Sequence, residues 1–110
     1  MIAGPYRSGS DNPEVWAQNL RAMNLVAHEV FLRGHTPIIG VNLALPVIRA
    51  AGFQHYEELM MPLSLAAADR CDAVLRIGGA STGADREVEH IRSRGLPVFT
   101  SIEEIPKATQ

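Results

Sequence analysis

A run of small residues, Gly78 to Gly83, joins an apolar segment to a stretch with helical periodicity. The apolar segment, 73–77, predicts a buried strand, and the stretch beyond it predicts a helix over 83–94. Thr82 and Asp85 have the spacing of a capping box at the start of that helix. Small residues allow the backbone to approach a ligand, and the free N–H groups of a helix N-terminus attract anions. The stretch therefore indicates a strand–loop–helix unit with an anion-binding edge.

Glu87 is the most suggestive residue of this predicted helix. At about 100° per residue, Ala84, Val88 and Ile91 form one apolar stripe, and Glu87 falls at its edge. Its carboxylate should therefore lean towards the core beside the small-residue loop. A structural role stays open, because an acidic residue in the first turns of a helix stabilises the helix dipole wherever it lies.

Short apolar segments alternate with helical segments along the whole chain. A long helix over 13–33 has an Asp11 or Asn12 cap and Pro13 at its first position. Within 43–61 a short helix around Pro46 is followed by a helical turn or two or by a loop lining the site, and a helix is predicted over 62–70. Strands are predicted at 1–3, 36–39, 72–77 and 97–100. This alternation predicts an α/β domain with a parallel sheet and helices on both faces.

The two loops richest in glycine and serine, 4–10 and 78–83, follow the first and third predicted strands. If the strand order is 2-1-3-4, these strands are neighbours and both loops lie at one edge of the sheet. Ligands of open α/β sheets bind at that position. The arrangement predicts a small anionic or nucleotide-type ligand.

Composition excludes several other classes of function. The chain has 110 residues, which fits one domain over 1–110, and its net charge of −2 comes without a basic run, so we expect no nucleic acid polymer as a partner. No transmembrane stretch or signal peptide is evident, which predicts a cytoplasmic protein with no membrane partner. The lone Cys71 excludes an internal disulfide and is expected in the core. No cluster has metal-ligand spacing, so we expect neither a metal nor a cofactor.

Five motifs together resemble the nucleoside 2-deoxyribosyltransferase-like superfamily, in particular its small members related to the nucleoside 5′-monophosphate N-glycosidases. They cover nearly the whole chain in the same order, and they are Ile2-Ala3-Gly4-Pro5-Tyr6, Arg33-Gly34-His35-x-Pro37, Cys71-Asp72-Ala73-Val74, Ser81-x-Gly83-x-x-x-Glu87 and Gly95-x-Pro97-Val98. The resemblance implies a flavodoxin-like three-layer sandwich with a four- or five-stranded parallel sheet in the order 2-1-3-4.

The resemblance also implies the roles of the site residues. Glu87 is then the catalytic nucleophile that attacks the anomeric carbon of a sugar, and Ser81 binds the 5′-phosphate. An oxocarbenium-like transition state suits a carboxylate beneath the sugar ring. Tyr6 is expected to stack on a base or cover the pocket, although surface roles for Tyr6 and Arg7 stay open. The expected substrate- and phosphate-binding residues are Gly4, Tyr6, Arg7, Ser8, Gly9, Ser81, Thr82 and Gly83.

One departure from the family pattern matters most. Characterised members carry an aspartate near the start of the helix that precedes the third strand, and the matching residue here is Ser64. Asp69 lies on the same predicted helix without matching that position. The general acid is therefore open, with His35 and His55 as candidates because histidine titrates in the required range. Structural roles for both histidines are the alternative.

These residues favour an enzyme over two other classes of protein. The leading prediction is hydrolysis or (deoxy)ribosyl transfer at the N-glycosidic bond of a nucleoside 5′-monophosphate or related nucleotide, through a covalent glycosyl–Glu87 intermediate. The first alternative is a non-catalytic module that binds a nucleotide or an ADP-ribose-like ligand, and the second is a structural subunit with a vestigial pocket. A homodimer or higher homo-oligomer is expected, because a domain this small buries a limited fraction of its surface.

Overall fold

Three very short parallel strands form the only sheet in the computed structural model, which describes residues 1–108. The strands are β1 (Ile2–Ala3), β2 (Val74–Arg76) and β3 (Val98–Phe99), hydrogen-bonded in the order β1-β2-β3. In register, Ile2 lies opposite Leu75, and Val74 lies opposite Val98. The helices are α1 (Pro13–Leu32), α2 (Gly40–Ala51), α3 (Tyr56–Ala68) and α4 (Thr82–Ser93), with single 3-10 turns at Phe53–His55 and Ile102–Glu104.

This architecture shows that the predicted flavodoxin-like sandwich with a four- or five-stranded sheet in the order 2-1-3-4 is wrong. The protein is mostly helical, at 58%, and its three strands are only two or three residues long. Residues 36–39, predicted as the second strand, are joined to β1 by one hydrogen bond, from the Ile2 amide to the Ile38 carbonyl at 2.8 Å. Pro37 has no N–H to donate to a ladder, and α2 begins directly after Ile39. The segment therefore ends before a ladder can form.

The helix ends follow local capping chemistry. The Asn12 side chain accepts a hydrogen bond from the Glu14 amide and caps α1, which starts at Pro13 as predicted. Gly34, with φ of +91°, follows the C-cap of this helix. Pro62 lies inside α3, whereas the sequence predicted it at the start of a helix. Proline is most common in the first turn of a helix, so the sequence placed a new helix at Pro62, whereas the helical turns expected as one alternative for 53–61 run into it without a break.

The core lies on both faces of the small sheet. Ile2 and Leu75 point to the face covered by α1, where they pack with Met23 and Val30. Their neighbours Ala3 and Val74 point to the opposite face, which is covered by α4 and the end of α3. This alternation follows from the two-residue period of a strand. Cys71 is buried on the α4 side, which confirms its prediction as a core residue.

The helices of residues 1–108 also bear on whether the chain can cross a membrane. Among residues 1–108, none of them combines the length with the hydrophobicity that crossing a bilayer requires.

Candidate functional site

The two loops rich in glycine and serine pack against each other at one edge of the sheet. They follow β1 and β2, which are adjacent and parallel. Gly78 has a φ of +75°, and a Cβ atom built on it would lie 2.7 Å from Cδ of Pro5. A side chain at position 78 would therefore strain the backbone and collide with the first loop. Glycine at this position is what allows the two loops to meet.

All nine residues predicted for catalysis and binding line one cavity of about 270 Å³, which we call the Glu87 cavity. These residues come from two loops and a helix, and some of them are more than 70 positions apart in the sequence. The fold brings them together. The predicted residues in its lining are Gly4, Tyr6, Arg7, Ser8, Gly9, Ser81, Thr82, Gly83 and Glu87, and the others are Val41, Tyr56, Glu57, Met60, Met61, Ser64 and Ala84.

Ser81 caps α4 at the mouth of this cavity. Its hydroxyl oxygen accepts a hydrogen bond from the Ala84 amide at 3.1 Å. The predicted capping box of Thr82 and Asp85 is therefore wrong, because the helix starts one residue earlier than that box requires. A serine hydroxyl that accepts one hydrogen bond can still donate its own proton. Ser81 thus combines a structural role with a donor for an anion.

Replacing Ser81 with alanine should lower the free energy of unfolding by about 1 kcal/mol, because the Ala84 amide loses its acceptor. Urea denaturation followed by circular dichroism measures this change. Thr82→Ala is the matched control, since Thr82 is exposed at the first position of the helix and its hydroxyl is not the cap. Equal stability of the Ser81→Ala and Thr82→Ala proteins would contradict the assignment of the cap.

Arg76, at the end of β2, holds the second loop in place. Its guanidinium donates hydrogen bonds to the Ile77 carbonyl and to the Gly79 carbonyl, the latter at 2.8 Å. Its Nε atom pairs with Asp85 on α4 at 3.2 Å. Sequence analysis missed this role, although an arginine inside an otherwise apolar strand directly before a glycine-rich loop was an available signal. The loop is therefore anchored to the strand before it and the helix after it.

Arg7 lies between aromatic rings. Its guanidinium carbon is 3.6 Å from the ring centroid of Tyr56 and 4.2 Å from that of Trp16. Ser8 and Gly9 follow with φ of 45° and 82°, so the loop turns sharply away from the arginine. Stacking uses the faces of a guanidinium and leaves its N–H edges for hydrogen bonds. The Nε atom of Arg7 is itself buried and donates to no partner within residues 1–108.

The carboxyl group of Glu87 is buried, with only 8% of the residue exposed. Burial raises its pKa from the usual 4.5 to about 7, while the N-terminal ammonium of Met1 and the guanidinium of Arg76 act in the opposite direction. Removal of water disfavours the charged form of a carboxyl group. At neutral pH the group is therefore divided between its protonated form and its carboxylate form.

The raised pKa of Glu87 predicts a pH-dependent stability. The unfolded chain loses the Glu87 proton near pH 4.5 and the folded protein near 7, so the contribution of this group is full below pH 4.5 and is lost as the pH rises through 7. Glu87→Gln removes the titration. Relative to the native protein, this variant should gain up to about 3 kcal/mol of unfolding free energy between pH 4 and pH 8. Denaturation curves at both pH values measure the gain. A difference in unfolding free energy between the two proteins that is the same at pH 4 and at pH 8 would contradict the raised pKa.

Gly40, the first residue of α2, lies against Glu87. A Cβ atom on Gly40 would be 2.8 Å from Oε2 of Glu87 and 2.4 Å from Oγ of Ser64. The N-cap residue of α2, Ile39, supplies no side-chain hydrogen bond to the free amides of the first turn. The positive end of the α2 dipole therefore faces the carboxylate at close range. Sequence analysis did not identify Gly40, because nothing local links it to a residue 47 positions away.

Two further cavity residues, Tyr56 and Glu57, come from the start of α3. Burial raises the pKa of the Tyr56 hydroxyl above its usual value of 10.0, so the group is a neutral donor near Arg7. Glu57 supplies a second carboxyl group to the Glu87 cavity. The sequence predicted that residues 53–61 form either helical turns or a loop at the site, and they are helical and line it.

The other candidates for acid–base chemistry lie outside the Glu87 cavity. His35 contacts the Pro106 carbonyl at 2.6 Å, and His55 pairs with Glu58 at 3.2 Å. Asp69 pairs with His90 of α4 at 2.5 Å. Ser64, which stands in place of the family aspartate, does line the cavity, and its hydroxyl faces the Met60 sulfur at 3.8 Å. The two histidines therefore lie away from the Glu87 cavity, and neither is placed to act on a group bound there.

Within residues 1–108, no three or more histidine, cysteine, aspartate or glutamate side chains are grouped so that they could hold a metal ion.

Comparisons with models of protein families, with curated proteins and with solved structures found no match to this chain. The resemblance to the deoxyribosyltransferase-like superfamily therefore stays a prediction that depends on the five motifs.

Proposed function

We propose that the protein cleaves the N-glycosidic bond of a nucleoside 5′-monophosphate or related nucleotide, with Glu87 as the nucleophile. The observation that supports this most is the position of Glu87, a buried carboxyl group with a pKa of about 7, in the same cavity as two loops suited to an anion. A carboxylate repels a phosphate unless an intervening sugar uses its charge. A ligand with phosphate at the loops and sugar at Glu87 satisfies both ends of the cavity.

The phosphate end of the proposed substrate has three sets of donors. The Ser81 hydroxyl and the free amides of the first turn of α4 lie on one side of the cavity. Arg7 on the other side supplies a positive charge and N–H edges that its aromatic neighbours leave open. Charge-assisted hydrogen bonds of this kind are about twice as strong as neutral ones. They favour a phosphorylated substrate over a free nucleoside.

The chemical step transfers the sugar from the base to Glu87. The carboxylate forms a bond to the anomeric carbon while the C–N bond breaks, and the base leaves with the electron pair. The departing base takes a proton from solvent. Water then attacks the anomeric carbon, frees Glu87 and yields the sugar phosphate. Attack by a second base in place of water gives transfer.

The rate of base release should rise with pH through about 7, because only the ionised form of Glu87 can attack. This dependence runs opposite to the effect of pH on stability, in which the ionised form is the less stable one. Both follow from the same buried carboxyl group.

The second candidate function is a non-catalytic nucleotide-binding module. Ser64 favours it, because this neutral side chain stands where the family pattern has an aspartate. Such a module binds nucleotides and releases no base. Ligand-induced thermal stabilisation without turnover therefore distinguishes it from the enzyme.

We extend the proposal to a homodimer or higher homo-oligomer in the cytoplasm. Several large apolar side chains of α1 and α2 are exposed, which suits contact with another copy. They are Leu25, Phe31, Leu32, Leu43 and Val47. The lone, buried Cys71 thiol suits a reducing compartment. Light scattering of the purified protein measures the assembly, and a strict monomer at high concentration would contradict it.

Chromatographic measurement of base release tests the proposed activity. A panel of ribo- and deoxyribonucleoside 5′-monophosphates is incubated with the protein, and each nucleotide is paired with its unphosphorylated nucleoside. We expect release from at least one monophosphate, and slower release from the matching nucleoside. Release from neither, together with nucleotide-induced thermal stabilisation, would support the binding module.

A further inference from the structure

A second, larger depression of about 860 Å³ lies between α1 and α2 and shares two lining residues with the Glu87 cavity. We call it the α1–α2 groove. Tyr6 and Arg7 line both spaces, so the two meet at the loop that follows β1. The Glu87 cavity, at about 270 Å³, is slightly below the ordinary size of small-molecule sites, which starts at roughly 300 Å³. A ligand that extends past Arg7 would enter the groove.

The charge of the α1–α2 groove favours an anion. Arg21 of α1 and Arg49 of α2 line it together with Arg7, and no aspartate or glutamate is among its lining residues in the described chain. Arg21 and Arg49 form no ion pair within residues 1–108. This concentration of positive charge occurs in a protein whose net charge is −2. The groove therefore has three arginines and no acidic residue in a lining that is otherwise mostly apolar.

Arg7 is fixed where the two spaces meet. Trp16 stacks on its guanidinium from the groove side, at 4.2 Å, and the Phe53 ring centroid is 5.8 Å away. A stacked guanidinium is pre-organised, so less conformational freedom is lost when its N–H edges bind. A group bound at Arg7 therefore lies between Ser81 in the Glu87 cavity and Arg21 and Arg49 in the α1–α2 groove.

From this placement we infer that the α1–α2 groove binds the distal phosphate of a nucleoside 5′-diphosphate, so that the substrate class carries a pyrophosphate group. The first phosphate lies between Ser81 and Arg7, as in the proposed function on which this inference rests, and the second lies beyond Arg7 towards Arg21 and Arg49. Arginine binds phosphate oxygens through paired N–H donors. The chain thus prefers a diphosphate to a monophosphate.

Fluorescence of Trp16, the only tryptophan of the chain, reports binding at this junction. Titrations use AMP, ADP, inorganic phosphate and inorganic pyrophosphate, with the last two as probes that carry no base. They are made in the Glu87→Gln protein so that turnover does not interfere. We expect ADP to bind at least about tenfold more tightly than AMP, and pyrophosphate more tightly than phosphate, as added charge-assisted contacts imply.

In the variant Arg21→Ala/Arg49→Ala, the affinity ratios of ADP to AMP and of pyrophosphate to phosphate should fall to near unity. The affinity for AMP should stay unchanged. Arg86→Ala is the control, because Arg86 is exposed on α4 and lines neither space. Three outcomes would overturn the inference. They are equal affinities of the Glu87→Gln protein for AMP and ADP, a preference for ADP that survives the Arg21→Ala/Arg49→Ala change, and no binding of any probe.

The proposed activity can fail separately from this inference. A preference for the diphosphate that depends on Arg21 and Arg49, in a protein that releases no base from any nucleotide, would support the groove and contradict the glycosidase. Base release from monophosphates with no preference for pyrophosphate over phosphate would support the glycosidase and contradict the groove.

Discussion

Replacing Glu87 with glutamine should lower the rate of base release from nucleoside 5′-monophosphates by roughly a thousandfold or more, the scale seen when a catalytic nucleophile is removed. Glutamine keeps the size of the side chain, and its neutral amide cannot bond to the anomeric carbon. The fold should remain, since the native carboxyl group is itself neutral over much of the pH range below 7. Chromatography of the released base under saturating nucleotide measures the loss.

Glu89→Gln is the matched control for this variant. Glu89 lies two positions along α4, is exposed, and pairs with Arg92 at 2.9 Å on the protein surface. The same chemical change at this position should leave base release within about twofold of the native rate, as surface substitutions usually do. A Glu87→Gln protein that retains activity within tenfold of native would remove Glu87 from the chemical step.

Gly40→Ala should lower both stability and activity although it adds only one methyl group. The new Cβ would lie 2.4 Å from Oγ of Ser64 and 2.8 Å from Oε2 of Glu87. Both neighbours are buried, so they can move aside only by disturbing the core. Overpacking of this kind costs about 1–3 kcal/mol. Displacement of Glu87 by about 1 Å should also lower the rate of base release by roughly a hundredfold.

The control for Gly40→Ala is Gly79→Ala in the second loop. A Cβ atom at Gly79 meets no atom within 4 Å, so this variant should match the native protein in both measurements. Thermal denaturation measures the stability of each variant, and the ratio of kcat to KM measures its activity. An unchanged stability and rate for Gly40→Ala would contradict the close approach of α2 to Glu87.

Local chemistry made the long helices predictable from the sequence. For α1, the cap at Asn12, the proline at position 13 and the glycine at position 34 all act within one turn of the helix ends. The strands depend on distant partners, and here prediction was least successful. Residues 36–39 have strand-like composition, but Pro37 cannot donate to a ladder and α2 starts at Gly40.

Part of the candidate site was also predictable from local sequence. Its loops and the helix that carries Glu87 have local signatures, namely small residues, a cap position and helical periodicity. Two residues that adjust the site were not identified from the sequence. Gly40 acts by close approach to Glu87 across the fold, which depends on packing that no short motif encodes. Arg76 anchors a loop through its own side chain, and its local signal, an arginine in an apolar strand before a glycine-rich loop, was overlooked.

Trapping the covalent intermediate tests the central claim most directly. A 2-deoxy-2-fluoro nucleoside 5′-monophosphate carries an electron-withdrawing group that slows steps through an oxocarbenium-like transition state, so a glycosyl–protein adduct should accumulate. We expect the intact mass to rise by that of the fluorinated sugar phosphate less one water, with the peptide that contains Glu87 modified and the Glu87→Gln protein unmodified. Base release with the adduct on another residue, or with no adduct at all, would contradict Glu87 as the nucleophile.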